Sequence, residues 1–298
     1  MAYLSVILLV SSLLGSIAND QSDLLGPLRE TRFGLVRGVF LNNSHGEALA
    51  FYGIPYAAPP IAQLRFSKPE SPASWKGVRN ATQQPAWCVQ FWFHDTHIQQ
   101  RAQSEDCLYL NIFTPHYAEA GSSDRLPVLV WVHGGSYQVG GMQMFPESGI
   151  LKSFVSRGVI VVTLNYRLGP LGFLSLMSKD CPGNFGLLDQ LAALRWVHDN
   201  IHHFGGDRHQ VTLFGESAGG ASVSLLAASD QTRGLVSGVV VSSGSSLSPW
   251  AVRSRNTDLN SHTLLRLTEC YPDPPSPLPA MLHCLRHNAS LEHLLAAW

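Results

Sequence analysis

Four short runs of consecutive apolar, mostly β-branched residues limit most tightly what this chain can fold into. They are Pro127–Val132 (PVLVWV), Val159–Leu164 (VIVVTL), Val211–Phe214 (VTLF) and Gly238–Val241 (GVVV). A strand with one wet face alternates apolar and polar residues, whereas a strand covered on both faces reads as an unbroken apolar run, as in a parallel sheet. Between the second and third runs, Gly186–Phe204 carries Leu187, Leu191, Leu194, Val197 and Ile201 at helical spacing. Ala218–Ala228 follows the third run directly and also reads as helix. Strand and helix therefore alternate, which predicts an α/β fold: a doubly wound, mostly parallel sheet with helices on both faces.

Upstream, Gly34–Val39 and Ala48–Tyr52 alternate enough for short strands, and LYLNIF within Glu105–Phe113 predicts another. FYGIPYAAPP, residues 51–60, reads as a turn punctuated by Gly and Pro. Glu119–Arg125 and the proline-rich Tyr271–Leu278 read as surface loops. Neither an internal repeat nor a linker is visible, so residues 19–298 read as part of one domain.

Apolar residues at 45% and charged residues at 14% suit a large core. A net charge of -1 without basic runs argues against nucleic acid as a partner. Tyr3–Leu14 is apolar apart from serines, and Ser16 and Ala18 are small, so residues 1–18 read as a signal peptide and the protein as secreted. A membrane anchor is the competing reading, but the run is shorter than the ~20 apolar residues a span needs. No later segment reads as a membrane span. In an oxidising compartment, Cys88–Cys107 and Cys270–Cys284 suggest themselves as local disulfides, leaving Cys181 free. Asn42, Asn80 and Asn288 head N-x-[ST] sequons and become glycosylation candidates.

The chemistry concentrates at Gly215-Glu216-Ser217-Ala218-Gly219. This G-x-S-x-G follows a strand and precedes a helix, the setting of a nucleophile elbow. The glycines let neighbouring backbone pass a tight turn, and the helix N-terminus faces a developing oxyanion. At the end of another buried strand stands His133-Gly134-Gly135-Ser136-Tyr137, a loop of the kind that supplies the other oxyanion donors. Gly135, Ser136 and Ala218 are the expected N–H donors; a loop needing positive φ for structural reasons alone is the alternative. His198-Asp199-Asn200-Ile201-His202 superficially resembles the zinc motif H-E-x-x-H, but no third ligand is evident, and a solvated helix face is the preferred reading. No metal or cofactor is expected. Cys181 has no paired histidine, so a free or intermolecularly bonded thiol is expected there.

These motifs make the chain similar to the type-B carboxylesterase/cholinesterase family. FGGDRHQVTLFGESAG (204–219) resembles that family's serine signature and EDCLYLN (105–111) its second signature. FYGIPYAAPP, LNYRLGPLGFLS, NFGLLDQLAALRWV and SGSSLSPWA resemble further blocks, so the likeness covers essentially residues 30–298. The resemblance implies an α/β-hydrolase fold with its C-terminal part absent from this chain, and a small-molecule ester as substrate. It implies Ser217 as nucleophile, the three oxyanion donors above and the same two disulfides. It further implies Glu216 lining the site, Trp250 near the acyl pocket and Ser243 in a buried polar network. The triad acid and histidine are expected beyond Trp298, since none of His262, His283, His287 and His293 stands in a matching motif. Ser136 replaces a glycine common in the family. HGGSY also occurs in the neuroligin-like adhesion branch, although that branch typically lacks the catalytic serine kept here; with the triad acid and histidine missing from this chain, a non-catalytic extracellular binding protein or a truncated pseudoenzyme is the competing function. Cholinesterases place a choline-binding tryptophan just before SEDC; it is lacking there, and Trp92 stands earlier in the chain without an alignment to that position, which leaves choline recognition unsupported.

Overall fold

A computed structural model describes residues 25–43, 46–90, 101–121, 123–252, 257–271 and 277–297. The expected leader (1–18) and Trp92 lie outside the described residues. The chain opens with an antiparallel meander of β1 (Leu25–Thr31), β2 (Gly34–Asn43) and β3 (Gly46–Pro55). A short β4 (Val78–Asn80) lies parallel to β2, while β5 (Trp87–Cys88) and β6 (Gln103–Ser104) form a separate small pair. β7 (Tyr109–Pro115) joins β3 antiparallel. The predicted apolar runs then appear as β8 (Leu126–Val132), β9 (Ile160–Leu164), β10 (Gly206–Glu216) and β11 (Gly238–Ser242), mutually parallel where they touch. The strand order is β1-β2-β3-β7-β9-β8-β10-β11, with β7 and β9 antiparallel.

Burial on both faces explains the unbroken apolar runs of β8 and β9, whereas the fourth run is a correction: β11 pairs only with β10 among the described residues and leaves Val240 and Val241 exposed. Val128, Val130 and Val132 of β8 and Ile160, Val162 and Leu164 of β9 enter one core cluster with Leu191, Leu194 and Val197. Those leucines belong to α3 (Phe185–Asn200), which follows α1 (Glu147–Ser153) and α2 (Gly169–Phe173) in the chain. The alternate residues, Leu129 and Val161, face the opposite cluster with Ile150 and Leu151 of α1. Period-two alternation is thus present, but both phases are apolar because helices cover both faces.

The predicted turn at residues 51–60 is corrected in its first half. Phe51–Pro55 continues β3, and a register skip between Phe51 and Ile54 marks a bulge. Gly53 takes φ 64° there, and its N–H donates to Asn111 Oδ1 at 2.9 Å. Buried Phe51 and Ile54 hold the strand in place on either side; glycine absorbs the extra residue. β1 escapes sequence reading because it is an edge strand carrying Pro27, with Leu25 and Leu28 exposed.

After α4 (Ala218–Ala227) come α5 (Thr257–Leu267), α6 (Leu278–His287) and α7 (Leu291–Ala296). The last three surround Leu265, Leu282, Leu285 and Leu294 and rest on Phe66, Leu171 and Phe185. Disulfide Cys270–Cys284 ties α6 to the end of α5, and Cys88–Cys107 closes the earlier loop. Each closure contributes about 3 kcal/mol in the chain-entropy account. Arg65 locks the helical unit to the sheet domain: Nη1 donates to Leu285 O and Ala289 O, both at 3.1 Å, and Nη2 to Glu105 Oε2 at 2.8 Å. Carbonyls at the α6 terminus thereby gain the donors the helix cannot supply.

The most buried ion pair joins Arg167 to Asp189 of α3, through Nε–Oδ2 at 2.8 Å and Nη2–Oδ1 at 2.7 Å. Its side chains are 4% and 0% exposed, whereas Arg233 and Asp230 pair on the surface at 83% and 90%. Denaturant unfolding should therefore show Asp189→Ala losing about 3–5 kcal/mol, since it strands a buried guanidinium. Asp230→Ala should lose no more than about 1 kcal/mol.

Candidate active site

Ser217 is the single residue between β10 and α4, at φ 55° and ψ -119°. A non-glycine side chain rarely adopts this backbone, and the strain implies that the surroundings impose it. The bend brings backbone strands too close for side chains. A Cβ on Gly215 would sit 2.2 Å from Gly219 O, and one on Gly219 would sit 2.1 Å from Val132 O. A Cβ on Gly244 would meet Ser217 O at 2.0 Å. Ser217 N–H donates to Ser242 O of β11 and Ala221 N–H to Ser217 O, both at 2.9 Å, pinning the bend to sheet and helix. The serine side chain is half-buried and makes no capping hydrogen bond to α4.

The 134–137 loop rests directly on this bend. A Cβ on Gly134 would lie 3.1 Å from Ser217 Cβ, 2.6 Å from Glu216 O and 3.0 Å from Glu216 Oε2. Gly135, Ser136 and Tyr137 take φ of 109°, 58° and 62° in succession. The turn closes through N–H of Gln138 and Val139, each donating to Gly135 O at 2.9 Å. The N–H groups of Gly135, Ser136 and Ala218 find no acceptor among the described residues. Ala218 also opens α4, where unpaired N–H groups carry the positive end of the helix dipole.

Beneath the loop, His133 is fully buried, its ring stacked on Tyr166 at 4.3 Å. Its Nδ1–H donates to Gly134 O at 2.8 Å, and Tyr166 O–H donates to His133 O at 2.9 Å. Burial pushes the imidazole down to about 4, so it stays neutral and orients the loop. Because the Gly134 carbonyl and the Gly135 N–H share one planar peptide, fixing the first aims the second. Gly140 must be glycine here, since a Cβ would come within 2.5 Å of His133 Nδ1. Sequence reading missed this role for His133 and Gly140. The available signal was a histidine beside paired glycines at the end of an apolar strand.

Other expected residues fall as follows. Glu216 is exposed beside Gly134. Trp250 is 41% exposed, and no hydrogen bond or ring contact among the described residues joins it to the serine. Ser243 is a correction: it is exposed, at φ 52°, because β11 has no outer strand to cover it among the described residues. The late histidines serve the helical unit: His262 lies against Tyr271 (5.3 Å), and His283 and His287 lie together (4.6 Å). α3 ends at Asn200, so His202 sits on a separate 3₁₀ turn against His203, and His198 bonds Asp199 at 3.2 Å. Among the described residues no group of three side chains could hold a metal ion. Cys181 is wholly buried and burial raises its thiol, which corrects the expectation of possible intermolecular pairing. Asn42, Asn80 and Asn288 are exposed.

A serine perched between a parallel strand and a helix, with a glycine loop laid against it, defines an α/β-hydrolase architecture. The chain belongs to the carboxylesterase family, whose sequence profile matches residues 26–298. It is 41% identical to pyrethroid hydrolase Ces2a of Mus musculus, over 91% of this chain and 49% of that protein. It is 42% identical to cocaine esterase of Homo sapiens, over 94% and 50%. Neuroligin-2 of Mus musculus is 39% identical, over 94% of this chain and 36% of its own length. The chain thus spans about half the length of the esterase relatives. Among the described residues no helix is long and apolar enough to cross a membrane.

His133 gives a pH signature. Its folded value, about 4, lies below the ordinary 6.5, so the unfolded chain binds the extra proton between these values. Its contribution is full above pH 6.5 and is lost progressively as pH falls to about 4. At ~1.4 kcal/mol per unit the loss approaches about 3 kcal/mol. The stability difference between the native protein and His133→Asn, followed by denaturant titration, should shrink by about that amount across the window; a constant difference contradicts it.

Proposed function

We propose that this chain carries the nucleophilic half of a carboxylic ester hydrolase acting through an acyl-enzyme. Ser217 Oγ attacks the ester carbonyl, and the carbonyl oxygen, turning anionic, accepts from the N–H groups of Gly135, Ser136 and Ala218. Collapse expels the alcohol and leaves the acyl group on Ser217, from which water releases the acid. The single observation that carries this reading is a strained serine at φ 55° with Gly134 packed close to its Cβ, at the meeting of two segments whose Gly135, Ser136 and Ala218 N–H groups find no acceptor among the described residues. Preorganised donors of this kind are worth about 10²–10³ in kcat each.

A serine hydroxyl needs a base. No histidine among the described residues hydrogen-bonds Ser217. The resemblance implies a Glu and a His later in the whole protein, in that order. Two disulfides and three exposed sequon asparagines support an extracellular setting with glycosylation at Asn42, Asn80 and Asn288.

A non-catalytic binding role is favoured by one observation: neuroligin-2 stands among the relatives. The two readings separate cleanly. In the whole protein, a fluorophosphonate probe should form a covalent adduct at Ser217, seen by peptide mass spectrometry. Ser217→Ala should lose that adduct and lower kcat/KM for a simple aryl ester by about 10⁴–10⁶. An unmodified Ser217 in well-folded whole protein supports the binding role instead.

A further inference from the structure

We propose that Arg65, Glu105 and Arg167 jointly bind one water molecule in the narrow cavity lined by the Cys88–Cys107 disulfide and Leu171. The inference is independent of ester hydrolysis.

Three buried polar atoms lack a protein partner while the rest of each side chain is engaged: Arg65 Nε, Glu105 Oε1 and Arg167 Nη1. Arg65 spends Nη1 on the α6 carbonyls and Nη2 on Glu105 Oε2. Arg167 spends Nε and Nη2 on Asp189. All three side chains line the same cavity, whose room for the centre of a water-sized sphere is about 10 Å³. That is the smallest volume that holds a single water.

The chemistry of the lining selects the occupant. Two N–H donors and one carboxylate acceptor require a ligand that both accepts and donates. A halide accepts from the guanidinium groups but meets the Glu105 oxygen. A cation suits Glu105 but meets two guanidinium groups. Water satisfies all three. It thereby links the ion pair that holds α6 to the one that holds α3, pairs which share no direct hydrogen bond among the described residues. Two residues past Arg167, Gly169 N–H donates to Tyr137 O at 2.7 Å, so this junction also supports the 134–137 loop.

High-resolution crystallography of the whole protein from bromide-containing solution tests this. One water-sized peak within about 2.7–3.2 Å of the three atoms is expected, without anomalous signal. An unfilled cavity, or a bromide peak, overturns the proposal. In solution, oxygen-17 relaxation dispersion should count one fewer long-lived water in Glu105→Met than in the native protein; an equal count overturns it. Should Glu105→Met fail to fold, the native density decides alone.

Discussion

The backbone bend at Ser217 is the constraint on which the site depends. A serine at positive φ is costly in isolation and persists because the hydrogen bonds to Ser242 O and from Ala221 N–H hold it from both sides. The three parallel strands β8, β10 and β11 bring these partners into register: Gly215 pairs Val132 on one side and Val241 on the other. Because the bend forces backbone against backbone, Gly215, Gly219, Gly220 and Gly244 are fixed by contact, none of them having a positive φ.

From that bend the loop chemistry follows. Gly134 can approach Ser217 only because neither its own Cβ nor a displaced Glu216 stands between them. The next three residues then take positive φ in a row, and the N–H groups of Gly135 and Ser136 find no acceptor among the described residues. Holding three consecutive residues there needs a brace, and buried His133, stacked on Tyr166 and bonded to Gly134 O, supplies it. A neutral imidazole serves better than a charged one here, because the interior would not tolerate the cation. In the proposed reaction, donors held in this way would lower the barrier without reorganising.

The sheet strands were legible because burial on both faces writes an unmistakable pattern: β8 and β9 appear as continuous apolar runs. The elbow was legible because its glycines answer a steric demand that no other residue meets. Elements settled by tertiary contact were not. β3 runs through a Gly-Pro segment because Phe51 and Ile54 are anchored in the core, which overrides local turn preference. α5–α7 are short, and a disulfide and Arg65, whose side-chain partners all lie forty residues or more away in sequence, help their apolar cluster hold them together. Ser243 was expected in a buried network, but only neighbouring structure can bury a residue at the end of an edge strand. The i, i+4 histidines of the zinc-like motif are separated by the end of α3, a boundary the spacing alone does not reveal.

The proposed ester chemistry requires Ser217 Oγ and the N–H groups of Gly135, Ser136 and Ala218 to converge on one point. A crystal structure of the whole protein with a phosphonate bound to Ser217 tests it most directly. The account predicts the phosphonyl oxygen within about 2.7–3.1 Å of those three nitrogens. A phosphonyl oxygen turned to solvent, with the 134–136 backbone swung away from the serine, would contradict it.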